Sequence, residues 1–262
     1  MTKRIPAAAA FLLICVLALA GAGPARAAGT AYAALGDSYS SGLGAGSHEA
    51  SSGTCDRSSR AYPALWAAAH KPASFAFAAC AGATTTDVVH RQLDVLNGST
   101  GLVSITVGGN DAGFGDIMTT CLTSTEHTCE DRVARARAFV HDRLPRLLDS
   151  AYGAIRARAP RARVVALGYP RLYAVPGDCL LGLGNAVRRA LDAAADDLDA
   201  TIARRASAHG FTFADVRGRF SGHELCSKSP WLHGITLPPS ASYHPTAAGQ
   251  SRGYLPALTA AG

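Results

Sequence analysis

Five short apolar runs, each five or six residues long, recur along the chain, and most end at glycine. Ala31–Leu35 (AYAAL) ends at Gly36-Asp37 and Ser74–Ala79 (SFAFAA) at Cys80-Ala81-Gly82. Leu102–Val107 (LVSITV) ends at Gly108-Gly109-Asn110-Asp111, and Arg163–Leu167 (RVVAL) at Gly168-Tyr169-Pro170. Phe211–Val216 (FTFADV) is the fifth. These runs lack the in-and-out alternation of a half-exposed strand, so they predict parallel strands buried on both faces. Between them the apolar spacing widens to that of helices. Ala61–His70 predicts a short helix, and Thr84-Thr85-Thr86-Asp87 opens another that carries Val88, Val89 and Leu93. Val133, Val140, Leu144, Leu147, Ala151 and Ile155 form the stripe of one long helix, kinked at Pro145. Ala186–Ala208 predicts a second long helix. Thr246–Ala257 predicts a last one, weakened by Gly249, Gly253 and Pro256. Strands alternating with helices define an α/β fold around a parallel sheet. No repeat, low-complexity tract or linker interrupts the pattern, which predicts one domain over residues 28–262.

The first 27 residues fit neither period. Met1–Arg4 is basic, Pro6–Gly23 is apolar and uncharged, and Pro24 precedes Ala25-Arg26-Ala27. A basic start, an apolar core and small residues at the cutting positions describe a secretory leader, with cleavage expected after Ala27. Removing Lys3, Arg4 and Arg26 with that leader takes the formal net charge from +6 to +3. So small a surplus argues against a nucleic-acid partner. No later run is apolar enough to span a bilayer, so no stable membrane anchor is expected. Of the seven cysteines, Cys15 lies in the leader. Cys55, Cys80, Cys121, Cys129, Cys179 and Cys226 remain, and an even number in an exported chain predicts disulfides. Their connectivity stays open at this level. His127-Thr128-Cys129 has no second close ligand pair, so no metal site is expected.

In an open parallel sheet, ligands sit beyond the carboxyl ends of the strands. Those ends carry Gly36-Asp37-Ser38-Tyr39-Ser40, Cys80-Ala81-Gly82-Ala83-Thr84 and Gly108-Gly109-Asn110-Asp111. Ser242-Tyr243-His244-Pro245-Thr246 stands near the C-terminus. A serine, a histidine, a glycine N–H and an asparagine amide are the parts of an acyl-transfer site. Rival constellations are missing: the sequence contains no P-loop and no H-E-x-x-H.

These four blocks, in this order from Gly36 to His244, resemble those of the SGNH or GDSL hydrolases, with Tyr39 where leucine is common. The nearest likeness is to secreted actinobacterial GDSL lipases and esterases. The resemblance implies a flavodoxin-like three-layer α/β/α fold with a five-stranded parallel sheet in the order 2-1-3-4-5. It implies Ser38 as nucleophile, His244 as general base, and an oxyanion hole from the Ser38 N–H, the Gly82 N–H and the Asn110 side chain. It also implies three disulfides, Cys55–Cys80, Cys121–Cys129 and Cys179–Cys226. The family commonly carries aspartate three residues before the histidine, where this chain has Ala241. The resembling subfamily implies that the backbone carbonyl of Ser242 orients His244 instead, with Asp215 and Glu224 as the alternative acids. His244 is then expected near its ordinary pKa of about 6.5.

The function implied is a secreted carboxylic ester hydrolase, a triacylglycerol lipase or esterase working through a Ser-His dyad and an acyl-enzyme, as a monomer without cofactor. A phospholipase A, a carbohydrate acetyl esterase and an inactive exported binding protein are the alternatives. Asp37 and Asp111 are expected to brace their loops, and Arg132, Arg135 and Arg146 to be solvated. Leu180, Leu181, Leu183, Trp231, Leu232 and Ile235 are candidates for the wall of an acyl site.

Overall fold

The computed structural model describes residues 1–2, 30–177, 179 and 182–262. The predicted leader, and with it the cleavage position, lies outside the described residues. Five parallel strands form the sheet: β1 (Ala31–Gly36), β2 (Ser74–Phe77), β3 (Thr100–Thr106), β4 (Arg163–Leu167) and β5 (Thr212–Ala214). Their order is β2-β1-β3-β4-β5, as the resemblance implied. Ala33 pairs with Ala76 on one side and Val103 on the other, and Val103 continues to Val164. Ala33, Val103 and Val164 are buried, while Ala76 on the edge strand is half-buried; burial of the central strands on both faces accounts for runs without alternation.

Helices cover both faces. On one side α2 (Tyr62–His70) packs against α9 (Leu255–Ala261). On the other, α3 (Thr85–Arg91), α5 (Glu126–Asp142), α6 (Leu144–Arg158) and α7 (Asn185–Ala208) pack as a layer. Short α1 (Ser38–Ser41) follows β1, α4 (Phe114–Thr123) follows β3, and α8 (Arg217–Phe220) follows β5. Tyr32, Leu35, Ile105, Leu148, Ile155 and Leu167 are buried at the centre. No helix of the described residues is long and apolar enough to cross a membrane.

Two helical expectations are corrected. The stripe from Val133 to Ile155 belongs to two helices, not one kinked helix: α5 ends at Asp142 and α6 begins at Leu144. Pro145 has no N–H to give to a carbonyl one turn earlier, and proline is tolerated only in a helix's first turn. The chain therefore restarts there. The C-terminal segment is helical from Ala247, as expected, but it is not a plain α-helix. Gly249–Tyr254 winds as a wider π turn, and the α-helix runs from Leu255 to Ala261. Glycine is needed in that turn, because a Cβ at Gly253 would strike the Phe220 ring and one at Gly249 the Trp231 carbonyl.

Three disulfides cross-link the chain: Cys55–Cys80, Cys121–Cys129 and Cys179–Cys226. The first ties the chain after α1 to the end of β2, and the second fastens α4 to α5.

Candidate active site

Ser38 opens α1 immediately after β1. Gly36 makes the close turn possible: its φ is +116°, and a Cβ there would collide with the Thr106 backbone on β3. Asp37 caps the turn. Its Oδ1 accepts hydrogen bonds from the Tyr39 N–H at 3.0 Å and the Thr106 hydroxyl at 2.7 Å, and its Oδ2 accepts from the Tyr169 hydroxyl. Burial pushes the Asp37 carboxyl up to about 6, although the hydrogen bonds from Tyr169, Thr106 and Tyr39 pull the other way. Asp37 thus braces the loop, as does Asp111, which accepts from the Thr85 N–H at 3.0 Å and the Thr85 hydroxyl at 2.6 Å.

His244 reaches Ser38 from the loop before the π turn. Its Nε2 lies 2.8 Å from Ser38 Oγ, and its Nδ1 lies 2.9 Å from the Ser242 carbonyl oxygen. A carbonyl can only accept, so Nδ1 carries the ring proton and Nε2 is left to accept from the serine hydroxyl. Neither candidate acid serves that role. Asp215 is taken up by Arg217, which holds its carboxyl below the usual range, and Glu224 accepts from the Gly222 N–H. The expected ordinary pKa of His244 is corrected. The residue is 8% exposed, and burial drives the imidazole down to about 4 despite the hydrogen bond to Ser242.

Hydrogen bonds lock the second and third blocks to the first. The Cys80 N–H donates to the Gly36 carbonyl at 2.9 Å, ahead of Gly82, whose φ is +78°. Asn110 Nδ2 donates to the Ala83 carbonyl at 3.0 Å, leaving a second amide hydrogen uncommitted. Ser38, Gly82 and Asn110 therefore stand on three adjoining, mutually bonded loops at the carboxyl ends of β1, β2 and β3.

Several supports escaped the sequence reading. Gln92 accepts from the Gly36 N–H at 2.7 Å and donates to its carbonyl at 2.9 Å. Gln250 accepts from the Tyr62 N–H at 2.9 Å and donates to the Tyr39 carbonyl at 3.0 Å. The Tyr39 hydroxyl donates to the Tyr243 carbonyl at 2.8 Å, fixing the residue between Ser242 and His244, which holds φ at +64°. Arg132, expected to be solvated, instead grips Asp116 at 2.6 Å and reaches the carbonyls of Ala112 and Gly113. Arg135 and Arg146 are exposed as expected. Among the suggested acyl-wall residues, Leu232 is buried, Leu183 and Trp231 are half-buried, and Ile235 is 71% exposed. Leu180 and Leu181 lie outside the described residues.

A serine hydroxyl bonded to a neutral imidazole, at the carboxyl edge of a parallel α/β sheet, defines a serine ester hydrolase. The chain belongs to the GDSL-like lipase/acylhydrolase family, whose model matches residues 34–252. It is 56% identical to a lipase of Streptomyces rimosus, over all of this chain and 99% of that protein. It is also 56% identical to Lipase 1 of Streptomyces coelicolor, over 93% of this chain and 92% of that one. The crystal structure of the extracellular Streptomyces rimosus lipase superposes with a TM-score of 0.87 at 58% identity, covering 89% of this chain and all of that one. Phospholipase A1 of Streptomyces albidoflavus superposes with a TM-score of 0.88 at 54% identity, covering 90% of this chain and all of that one. Three disulfides and an extracellular relative of this similarity mark a secreted protein.

Proposed function

We propose that the protein hydrolyses fatty-acyl esters of glycerol, with Ser38 as nucleophile and His244 as general base. The observation that carries this reading is the chain of contacts from Ser38 Oγ through the His244 ring to the Ser242 carbonyl, at 2.8 and 2.9 Å. Ser38 Oγ attacks the ester carbonyl carbon while its proton passes to His244 Nε2. The oxyanion is held by the Ser38 and Gly82 N–H groups and the free hydrogen of Asn110. As the tetrahedral intermediate collapses, His244 returns the proton to the departing alcohol, leaving an acyl-enzyme. Water, deprotonated by the same nitrogen, then attacks the acyl carbon and releases the fatty acid and Ser38. The Ser242 carbonyl fixes the tautomer throughout.

Labelling with a fluorophosphonate, followed by assays on triolein, phosphatidylcholine and acetylated xylan, tests this. Stoichiometric label on Ser38, lost in Ser38→Ala, with triolein cleaved fastest, is expected. An unlabelled protein would remove the nucleophile assignment. Fastest cleavage of phosphatidylcholine would favour a phospholipase, a reading supported by the 54% identity to the Streptomyces albidoflavus enzyme. Removal of the leader after Ala27 and a monomeric state belong to the same proposal. N-terminal sequencing of the secreted protein and light scattering test them.

A further inference from the structure

Ser38 and His244 come from segments 206 residues apart, so their 2.8 Å contact depends on ties between the chain after Ser38 and the chain around His244. One such tie runs through His233, a half-buried histidine. Residues 231–233 lie antiparallel to residues 243–246. The Tyr243 N–H donates to the His233 carbonyl at 2.8 Å, the His233 N–H to the His244 carbonyl at 2.9 Å and the Thr246 N–H to the Trp231 carbonyl at 2.8 Å. The His233 ring reaches the other segment. Its Nε2 lies 2.8 Å from the carbonyl oxygen of Gly44, in the turn Leu43–Ala45 that follows α1. That oxygen is an acceptor, so Nε2 carries the His233 ring proton. Glycine at 44 lets the two segments close. A Cβ there would stand 2.9 Å from the His244 Cβ, 2.6 Å from the Pro245 carbonyl oxygen and 3.1 Å from the His233 ring.

We propose that His233 is a positioning residue: its backbone holds the general base, and its ring anchors that base to the segment bearing the nucleophile. The proposal rests on the ester-hydrolase reading above. A displacement of about 1 Å between reacting groups can cost about a hundredfold in rate, so one side-chain hydrogen bond can govern kcat without touching substrate.

The same ring has an electrostatic effect. His244 must stay neutral to act as a base. Burial chiefly keeps it so, and a charge on His233 adds to burial by disfavouring a second charge beside it. The other groups around His244 supply no such charge. Tyr39 and Tyr243 are phenols that burial holds in the neutral form, and Phe114 of α4 is apolar. Asp37, raised by burial to about 6, is itself protonated at the pH where His244 titrates. His48 bonds the Leu43 carbonyl at 2.8 Å on the same turn as Gly44, and its Nδ1 faces Asp56 at 3.9 Å.

Two substitutions separate the hydrogen bond from the charge. His233→Gln keeps an N–H for Gly44 and removes the charge, whereas His233→Phe keeps a ring and removes both. With nitrophenyl butyrate, His233→Phe is expected to lower kcat about ten- to a hundredfold at nearly unchanged KM, and His233→Gln to restore kcat to within about threefold of wild type. The acid midpoint of kcat/KM is expected to rise in both variants, because both lack the repelling charge. Damage to packing alone would lower activity together with melting temperature and leave the midpoint in place. A His233→Gln variant no better than His233→Phe, or kcat near wild type in both, would overturn the positioning role. A midpoint unmoved in His233→Gln would overturn the electrostatic effect. If His233→Phe does not fold, His233→Ser, too short to reach Gly44, makes the same comparison. A wild-type protein that cleaves no nitrophenyl ester and takes no fluorophosphonate label would overturn the hydrolase reading and this one with it.

Discussion

His244 sets the acid limit of the chemistry. Buried and facing a carbonyl rather than a carboxylate, its ring resists taking a proton and holds a pKa of about 4. The general base works only when neutral, so kcat/KM should fall as pH drops through about 4 and stay flat from about pH 5 upward. A midpoint near 6.5, unmoved in Asp37→Asn, would mean that water reaches the ring and that burial does not govern it. Asn110 carries a second test. With one hydrogen on Ala83 and the other proposed for the oxyanion, its loss should lower kcat by roughly 10²–10³ and leave KM nearly unchanged. A change below about threefold, with native circular dichroism, would make Asn110 a loop brace like Asp111. Ser38, Gly82, Asn110 and His244 were legible as candidates because each stands in a block with its own local chemistry. The depressed pKa was not legible, because it depends on how many distant atoms exclude water from one ring.

The elements show the same divide between local and distant causes. The strands could be read because burial on both faces writes a continuous apolar run into each segment. Pro145 announced an interruption, but a stripe of apolar residues has the same spacing whether its helix bends or restarts, so periodicity alone could not separate α5 from α6. The π turn at Gly249–Tyr254 left no trace beyond its two glycines. Its purpose is read from Gln250, whose partners Tyr62 and Tyr39 are 188 and 211 residues away. The wider turn brings this amide to the backbone of both α1, at Tyr39, and α2, at Tyr62. Gln250→Leu leaves a buried N–H and a buried carbonyl without partners, each costing about 1–3 kcal/mol. The melting temperature should fall by about 5–15 °C in scanning calorimetry, given the usual 2–4 °C per kcal/mol for a domain of this size. A fall of less than about 2 °C would mean that these two groups find other partners.

Across the whole molecule, the disulfides separate stability from catalysis. They join residues 25, 8 and 47 positions apart in chain order. If each acts by restricting the unfolded chain, the entropy model assigns about 3.5 kcal/mol to Cys55–Cys80, about 2.5 to Cys121–Cys129 and about 4 to Cys179–Cys226. Replacing each pair by serine should therefore lower stability in the order Cys179–Cys226, then Cys55–Cys80, then Cys121–Cys129. Activity should follow a different order, because Cys55–Cys80 adjoins the loops proposed to hold the oxyanion. Cys80 stands two residues before Gly82 and donates to the Gly36 carbonyl, and the Ala81 N–H donates to the Cys55 carbonyl at 3.1 Å. Cutting that bridge frees the loop that presents the Gly82 N–H, and kcat should drop more than KM rises. Cutting the long bridge should instead leave kcat near its wild-type value at temperatures where the protein stays folded. Urea titration and steady-state kinetics on the three double-serine variants give both rankings from the same proteins. If activity falls in parallel with stability across the set, the bridges act only on the fold, and the Cys55–Cys80 link has no separate part in holding the oxyanion loop.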